Sequence, residues 1–104
     1  MGSISPLGAS SDEAWKAYQS PASCIRYQEL NGCLTPVAPI SENAGSRLTE
    51  LRQEKEPYQG LDRSVAMAMY ASRQALAQSG WSSHRDIGIN IGSSRGATSL
   101  FETF

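Results

Sequence analysis

The segment from Ile87 to Phe104 constrains the fold of this 104-residue chain more than any other, because it passes from the two-residue period of a strand to the period of a helix. Isoleucine occupies every second position from Ile87 to Ile91, with glycine or asparagine between, which predicts a strand with one face of large side chains. The next apolar residues have helical spacing: Ala97, Leu100, Phe101 and Phe104. A strand with glycines on one face needs a close neighbour, and a short helix cannot bury its apolar face alone. We therefore expect this segment to belong to a larger fold.

A longer helix is expected over residues 62–79. Asp62 is a good N-cap residue, and Gly80 is suitable for the position just after a helix. Two neighbouring rows of side chains follow the helix: Val65, Met69, Ser72 and Leu76 in one, Ala68, Ala71 and Ala75 in the other. Because alanine side chains are small, the second row allows another element to approach closely. We expect this helix to be buried on much of its circumference.

The remaining predicted elements are shorter. Ser10 and Glu13 have the spacing of a capping box, which predicts a helix over Ser11–Gln19. The region after it is rich in proline and glycine, and there we expect a short edge strand within Cys33–Ile40 and a weak helix over Arg47–Glu56. Helices that alternate with strands indicate an α/β architecture with a layered sheet.

Composition and charge exclude several classes of protein. Nine basic and ten acidic residues give a net charge of -1, so the chain has neither the excess of positive charge that binds nucleic acid nor a polybasic patch for a membrane surface. No run approaches the roughly 18 apolar residues of a membrane span, and Met1–Pro6 lacks the features of a signal peptide. Cys24 and Cys33 are expected to be free thiols. We predict a cytoplasmic protein that binds neither nucleic acid nor membrane.

The motifs predict no catalytic residue, no cofactor site and no metal ligand. Gly88, Gly92 and Gly96 match neither the dinucleotide fingerprint nor the P-loop, so close packing and a tight turn are favoured over phosphate binding. Glycines two residues on either side of Ser94 satisfy the bare pattern of a nucleophile elbow. The single histidine, His84, however, precedes the strand, whereas α/β-hydrolases place it after the serine. We interpret His84 as a solvated or helix-end residue.

Three segments in series resemble the N-terminal part of the β-ketoacyl synthases, which have the thiolase-like fold. Ser3–Gly8, with the tryptophan-containing helix that follows, looks like the turn and helix after that family's first strand. Leu61–Ser64, with the alanine row and Gly80, looks like its buried helix, and Ile87–Glu102 looks like the next strand, glycine turn and helix. The resemblance implies that residues 1–104 form an incomplete N-terminal portion of a layered, thiolase-like α/β fold.

The first strand of that family normally ends in Thr-Gly-x-Gly, and Met1 and Gly2 fit its last two positions. We therefore favour Met1 as an internal position of a longer protein over residues added at the terminus. In either case we expect the first strand, a central one in the family, to be missing from this sequence.

The resemblance also implies an activity. β-Ketoacyl synthases are acyltransferases that extend acyl chains by decarboxylative Claisen condensation on acyl carrier protein, in fatty-acid, polyene or polyketide synthesis. Partners would be acyl carrier protein and malonyl and acyl thioesters, and the intact enzyme would be a homo- or heterodimer. The family's nucleophilic cysteine and catalytic histidines lie downstream of this segment, so the chain alone is expected to be inactive. The alternative is a small non-catalytic α/β binding module or a decayed partner subunit of a condensing enzyme.

The resemblance assigns substrate-binding positions at the glycine turn, Gly92–Gly96, which looks like a loop bordering the family's acyl pocket. Ser94 and Arg95 lie within this turn. Family members often have an apolar residue where this chain has Arg95, so we hypothesise that Arg95 shortens or polarises the acyl channel and favours polar, aryl-capped or unsaturated chains. The alternative is that Arg95 points to solvent or pairs with Glu102.

Overall fold

The computed structural model describes residues 1–81 and 86–102, which form a small mixed α/β fold. Its described part has four α-helices, one 3₁₀ helix and one antiparallel two-stranded sheet. The elements in chain order are α1 (Ser11–Tyr18), β1 (Arg26–Leu30), β2 (Cys33–Val37), α2 (Glu42–Gln53), the 3₁₀ helix (Glu56–Gly60), α3 (Arg63–Ser79) and α4 (Thr98–Glu102).

Helix α1 begins as the sequence predicts. The Ser10 hydroxyl accepts a hydrogen bond from the Glu13 backbone N–H at 3.2 Å, and the Glu13 carboxylate accepts one from the Ala9 N–H at 2.6 Å. These two bonds satisfy N–H groups that lack partners inside the helix. A tight turn leads into the cap, since Ser5 and Gly8 exchange two backbone hydrogen bonds of 3.0 and 3.1 Å. The predicted helix over Ser11–Gln19 is confirmed to within one residue.

The sheet differs from the expected layered one. Strands β1 and β2 form a hairpin in which Gln28 is opposite Thr35. Asn31 and Gly32 connect them with φ angles of 51° and 78°, which is the backbone of a two-residue type I′ turn. Strand β2 confirms the predicted edge strand, whereas β1 was not predicted. No other strand in the described residues pairs with this hairpin, so the described part of the chain contains a two-stranded sheet and no layered one.

The core lies where α2 packs against the N-terminal half of α3. Leu48, Leu51 and Ala66 are its buried side chains, and a ring of half-buried residues packs around them: Ile4, Ile40, Tyr58, Met67, Met69 and Tyr70. Arg52 closes the connection between the two helices, because one of its terminal nitrogens donates to the carbonyls of Gln59 at 3.1 Å and Leu61 at 3.0 Å.

Helix α2 is longer than the sequence predicted. It begins at Glu42, upstream of the expected start at Arg47, because the Ser41 hydroxyl accepts from the Ala44 N–H at 3.2 Å and caps it. Its C-terminal end, at Gln53, is linked to α3 by an ion pair in which Glu54 accepts from Arg73 at 2.7 Å.

The N-terminal segment runs along α3. Gly2 lies so close to the helix that a Cβ atom there would overlap the backbone carbonyl of Ala71. The Gln74 side chain accepts a hydrogen bond from the Ser3 N–H at 2.9 Å and donates one to the Ala9 carbonyl. This contact confirms that the alanine row of α3 admits a close neighbour.

The chain exposes more surface than a compact domain of its mass. Its accessible surface is 8257 Å², whereas a folded monomer of 11.2 kDa has about 5,700 Å². The radius of gyration is 15.8 Å, against about 13 Å for a compact chain of this length. Along α3 only Ala66 is buried and Leu76 is exposed, so the expectation of a largely buried helix is wrong for this structure.

Candidate functional site

The glycine turn that the sequence singled out is held by a local hydrogen bond. The Ser93 hydroxyl accepts from the Gly96 N–H at 2.9 Å, which closes the turn around the two residues between them. Gly96 has a φ of 66°, a conformation in which a side chain is strained, so glycine is required there. Helix α4 follows at Thr98, one residue later than the expected helical face begins. The sequence expectation of a tight turn followed by a helix is therefore confirmed.

A carboxylate at the start of α3 anchors α4. Asp62 caps α3 by accepting from the Ser64 N–H at 2.8 Å and the Ser64 hydroxyl at 2.6 Å. Its second carboxylate oxygen accepts a hydrogen bond from the Ser99 hydroxyl of α4, 37 residues away. The hydrogen bonds from Ser64 and then Ser99 stabilise the charged form and lower the pKa of Asp62 to about 2. The turn before α4 is thereby placed near the N-terminus of α3.

Ser94 and Arg95, the two predicted substrate-binding residues, lie at the exposed tip of this turn. Arg95 forms no ion pair with Glu102, although both residues are in the described part of the chain. The arrangement brings the two residues together on an anchored loop. It does not enclose them, so their roles toward an acyl chain stay predictions.

The segment before the turn corrects one expectation. The predicted strand at Ile87–Ile91 does not form, and the described residues from 86 to 93 have no regular secondary structure. Ile89 is 81 % exposed and Ile91 is 68 % exposed. The physical reason is that a strand needs a hydrogen-bonded neighbour, and the described residues supply none beside this segment.

The other residues considered for chemistry are dispersed. Cys24 is half-buried and Cys33 is exposed on β2, and both are free thiols, as predicted. Within residues 1–81 and 86–102 no three side chains of the types that bind metals come together. His84, interpreted as a solvated or helix-end residue, and Phe104, assigned to the last helix, lie outside the described residues. No helix in the described part of the chain is long and apolar enough to cross a membrane.

Two features of the structure, one of them in the site, were not predicted from the sequence. The bond from Ser99 to Asp62 joins residues far apart in the chain, and only the identity of Asp62 as a cap was available as a signal. The missed strand β1 had a clear signal, since Asn31-Gly32 is the preferred dipeptide of a type I′ hairpin turn.

Comparisons with protein-family models, curated proteins and solved structures find no match to this chain.

Proposed function

We propose that this chain is part of a β-ketoacyl synthase, the acyltransferase that extends acyl chains by decarboxylative Claisen condensation on acyl carrier protein. The resemblance of three segments in the correct order motivates the proposal. In such an enzyme a cysteine thiolate takes the acyl group from the carrier, a malonyl unit loses carbon dioxide, and the resulting enolate attacks the acyl thioester to form a carbon–carbon bond.

The contact between Gly2 and Ala71 carries the proposal. The resemblance places Gly2 at the end of the family's first strand and Ala71 on its buried helix, two elements 69 residues apart in the chain. In the structure their backbones touch, and Gln74 bonds to both ends of the segment that follows Gly2. A small residue on each side is what such an approach requires.

The large accessible surface also supports a larger fold around this chain. The accessible surface exceeds that of a compact monomer by about 2,600 Å², and the isoleucines of the expected strand account for part of it. An excess of this size matches the area that one side of a large, obligate interface buries.

The proposal limits what these residues do. Neither Cys24, Cys33 nor His84 matches the family's nucleophile or its catalytic histidines, so this chain would contribute scaffold and one wall of the acyl pocket. Ser94 and Arg95 would lie at that wall, where a guanidinium replaces the apolar side chain that family members often have.

The first test is the coding sequence on both sides of this segment. We expect an apolar strand ending in Thr-Gly before Met1, and a cysteine followed by two histidines beyond Phe104. A stop codon directly after Phe104, with no continuation in a nearby frame, would remove the enzyme and leave the non-catalytic α/β module.

The second test uses the full-length enzyme with malonyl and acyl carrier protein. We expect carbon dioxide release that depends on both substrates, and a change of acyl-chain preference in Arg95→Ile. Arg47→Ile is the matched control, because Arg47 is an exposed arginine on α2, outside the glycine turn. An unchanged preference in Arg95→Ile would remove the assigned role of Arg95 and leave the family assignment intact.

A further inference from the structure

A cavity between α2 and the start of α3 is lined by two arginines. Its volume is about 310 Å³, and its walls are Gly45, Leu48, Thr49, Arg52, Arg63 and Ala66. A second cavity continues it along α2 and shares Thr49 and Arg52. Neither cavity involves the glycine turn, so a ligand bound between α2 and α3 would be independent of the proposed function.

Arg63 occupies a position where a cation is unfavourable. It is the first residue of α3, and the N-terminus of a helix carries a partial positive charge that repels a guanidinium. In the described residues Arg63 takes part in no ion pair or side-chain hydrogen bond with another group. Residues that break a local rule without a compensating contact are concentrated at functional sites.

The carboxylate next to Arg63 in sequence makes no ion pair or hydrogen bond with it in the described residues. Asp62 is the neighbour of Arg63 in sequence, but its oxygens accept hydrogen bonds from Ser64 and Ser99. The lowered pKa of Asp62 comes from these serine contacts, with no contribution from an arginine.

Arg52 is a second positive charge on the same wall and is held in place. One of its terminal nitrogens donates to the Gln59 and Leu61 carbonyls, which orients the guanidinium plane while leaving its charge uncompensated. Arg52 and Arg63 both line this cavity, and guanidinium groups can form paired hydrogen bonds to the oxygens of a tetrahedral anion.

Gly45 contributes no side chain to the wall of the cavity. A Cβ atom built on Gly45 meets no heavy atom within 4 Å. This helical glycine therefore leaves open space that the side chain of any other residue would partly fill. Glycine inside a helix costs about 0.5–1 kcal/mol relative to alanine, and no positive φ or close neighbour requires it here.

We propose that the cavity lined by Arg52, Arg63 and Gly45 binds a small tetrahedral oxyanion of the phosphate class. The two guanidinium groups supply charge and hydrogen-bond donors, and the missing side chain at Gly45 supplies room for the anion.

The test is a titration of the 104-residue chain with inorganic phosphate, at an ionic strength held constant with chloride, followed by ¹H–¹⁵N spectra. We expect saturable shifts of the Gly45, Thr49 and Ala66 amide signals. Arg63→Gln should raise the Kd at least about tenfold, the effect of losing one charge-assisted hydrogen bond. Arg63 is exposed, so this change should leave the helices intact.

Two further variants make the result specific. Arg47→Gln removes the same charge from an exposed position on α2 that does not line the cavity, and should change the Kd by less than about twofold. Gly45→Met fills the cavity while raising helix propensity, and should abolish saturation. Three results would each overturn the proposal. They are amide shifts that grow without saturation, an equal rise in the Kd for Arg47→Gln and Arg63→Gln, and phosphate binding by Gly45→Met that is as tight as that of the unchanged chain.

Discussion

Replacing Leu51 by alanine tests whether the small core between α2 and α3 holds the structure together. Leu51 is 3 % exposed and is one of the three buried side chains of that core. The change removes three buried carbons, which at about 0.8 kcal/mol each costs about 2.4 kcal/mol. The half-buried side chains packed around this core can relax into part of the space, which keeps the additional cost of an unfilled cavity small. We expect α2 and α3 to lose about 2–3 kcal/mol of local stability.

The assay is native-state hydrogen exchange of the helix amides, which reports local opening without requiring one global transition. A loss of 2–3 kcal/mol corresponds to a fall in protection of roughly 30- to 150-fold. Leu34→Ala is the matched control, because Leu34 is 71 % exposed on the hairpin and should change protection in α2 and α3 by less than about twofold. Equal effects of the two variants would show that the core is not at the interface of α2 and α3.

Three other predictions concern local contacts. The folded-state pKa of Asp62 is about 2, below its ordinary value of 3.8, so the stability that its ionised carboxylate contributes is present above about pH 4 and is lost as the pH falls through 2. The chemical shift of the Ser64 amide should follow this titration, and Asp62→Asn should abolish the pH dependence of that shift. Gly32→Val should unfold the hairpin, since φ is 78° there, and remove its cross-strand NOEs, whereas Asn31→Gly should retain them. Glu54→Gln removes the exposed ion pair with Arg73 and should lower the free energy of unfolding, measured with denaturant, by less than about 1 kcal/mol. Salt screens a surface pair, so a larger loss of stability at high salt than at low salt would contradict this interpretation.

The elements that the sequence predicted correctly are those with local signals. Ser10 and Glu13 define the start of α1, and Asp62 and Gly80 mark the two ends of α3; all four act as predicted. A cap depends on residues within one turn of the helix end, so no tertiary knowledge is needed to recognise it. Gly80 adopts a φ of 69°, the left-handed conformation expected just after a helix.

The predictions that failed depended on neighbours that a local pattern does not specify. The period of Ile87–Ile91 indicates which face of a strand would be apolar, but a strand forms only if another one pairs with it. Burial of α3 was inferred from its apolar rows, and Leu76 is exposed because nothing in the described residues packs over it. The link from Ser99 to Asp62 and the cavity between Arg52 and Arg63 result from folding, and no sequence spacing predicts them.

The exposed isoleucines also bear on the choice between the two proposed roles. A stable module of this size would be expected to place its most β-prone residues in its own core, because each large aliphatic side chain gains about 1.5–3 kcal/mol on burial. Here Ile89 and Ile91 lie in solvent while the buried side chains of the core are two leucines and an alanine. The alternation of Ile87–Ile91 is typical of a strand, yet this segment has no strand partner in the described residues. Both observations are explained if the strands that pair with it belong to a larger sheet. Residues around Gly2, already packed on α3, mark the side of the helix on which such a sheet would lie.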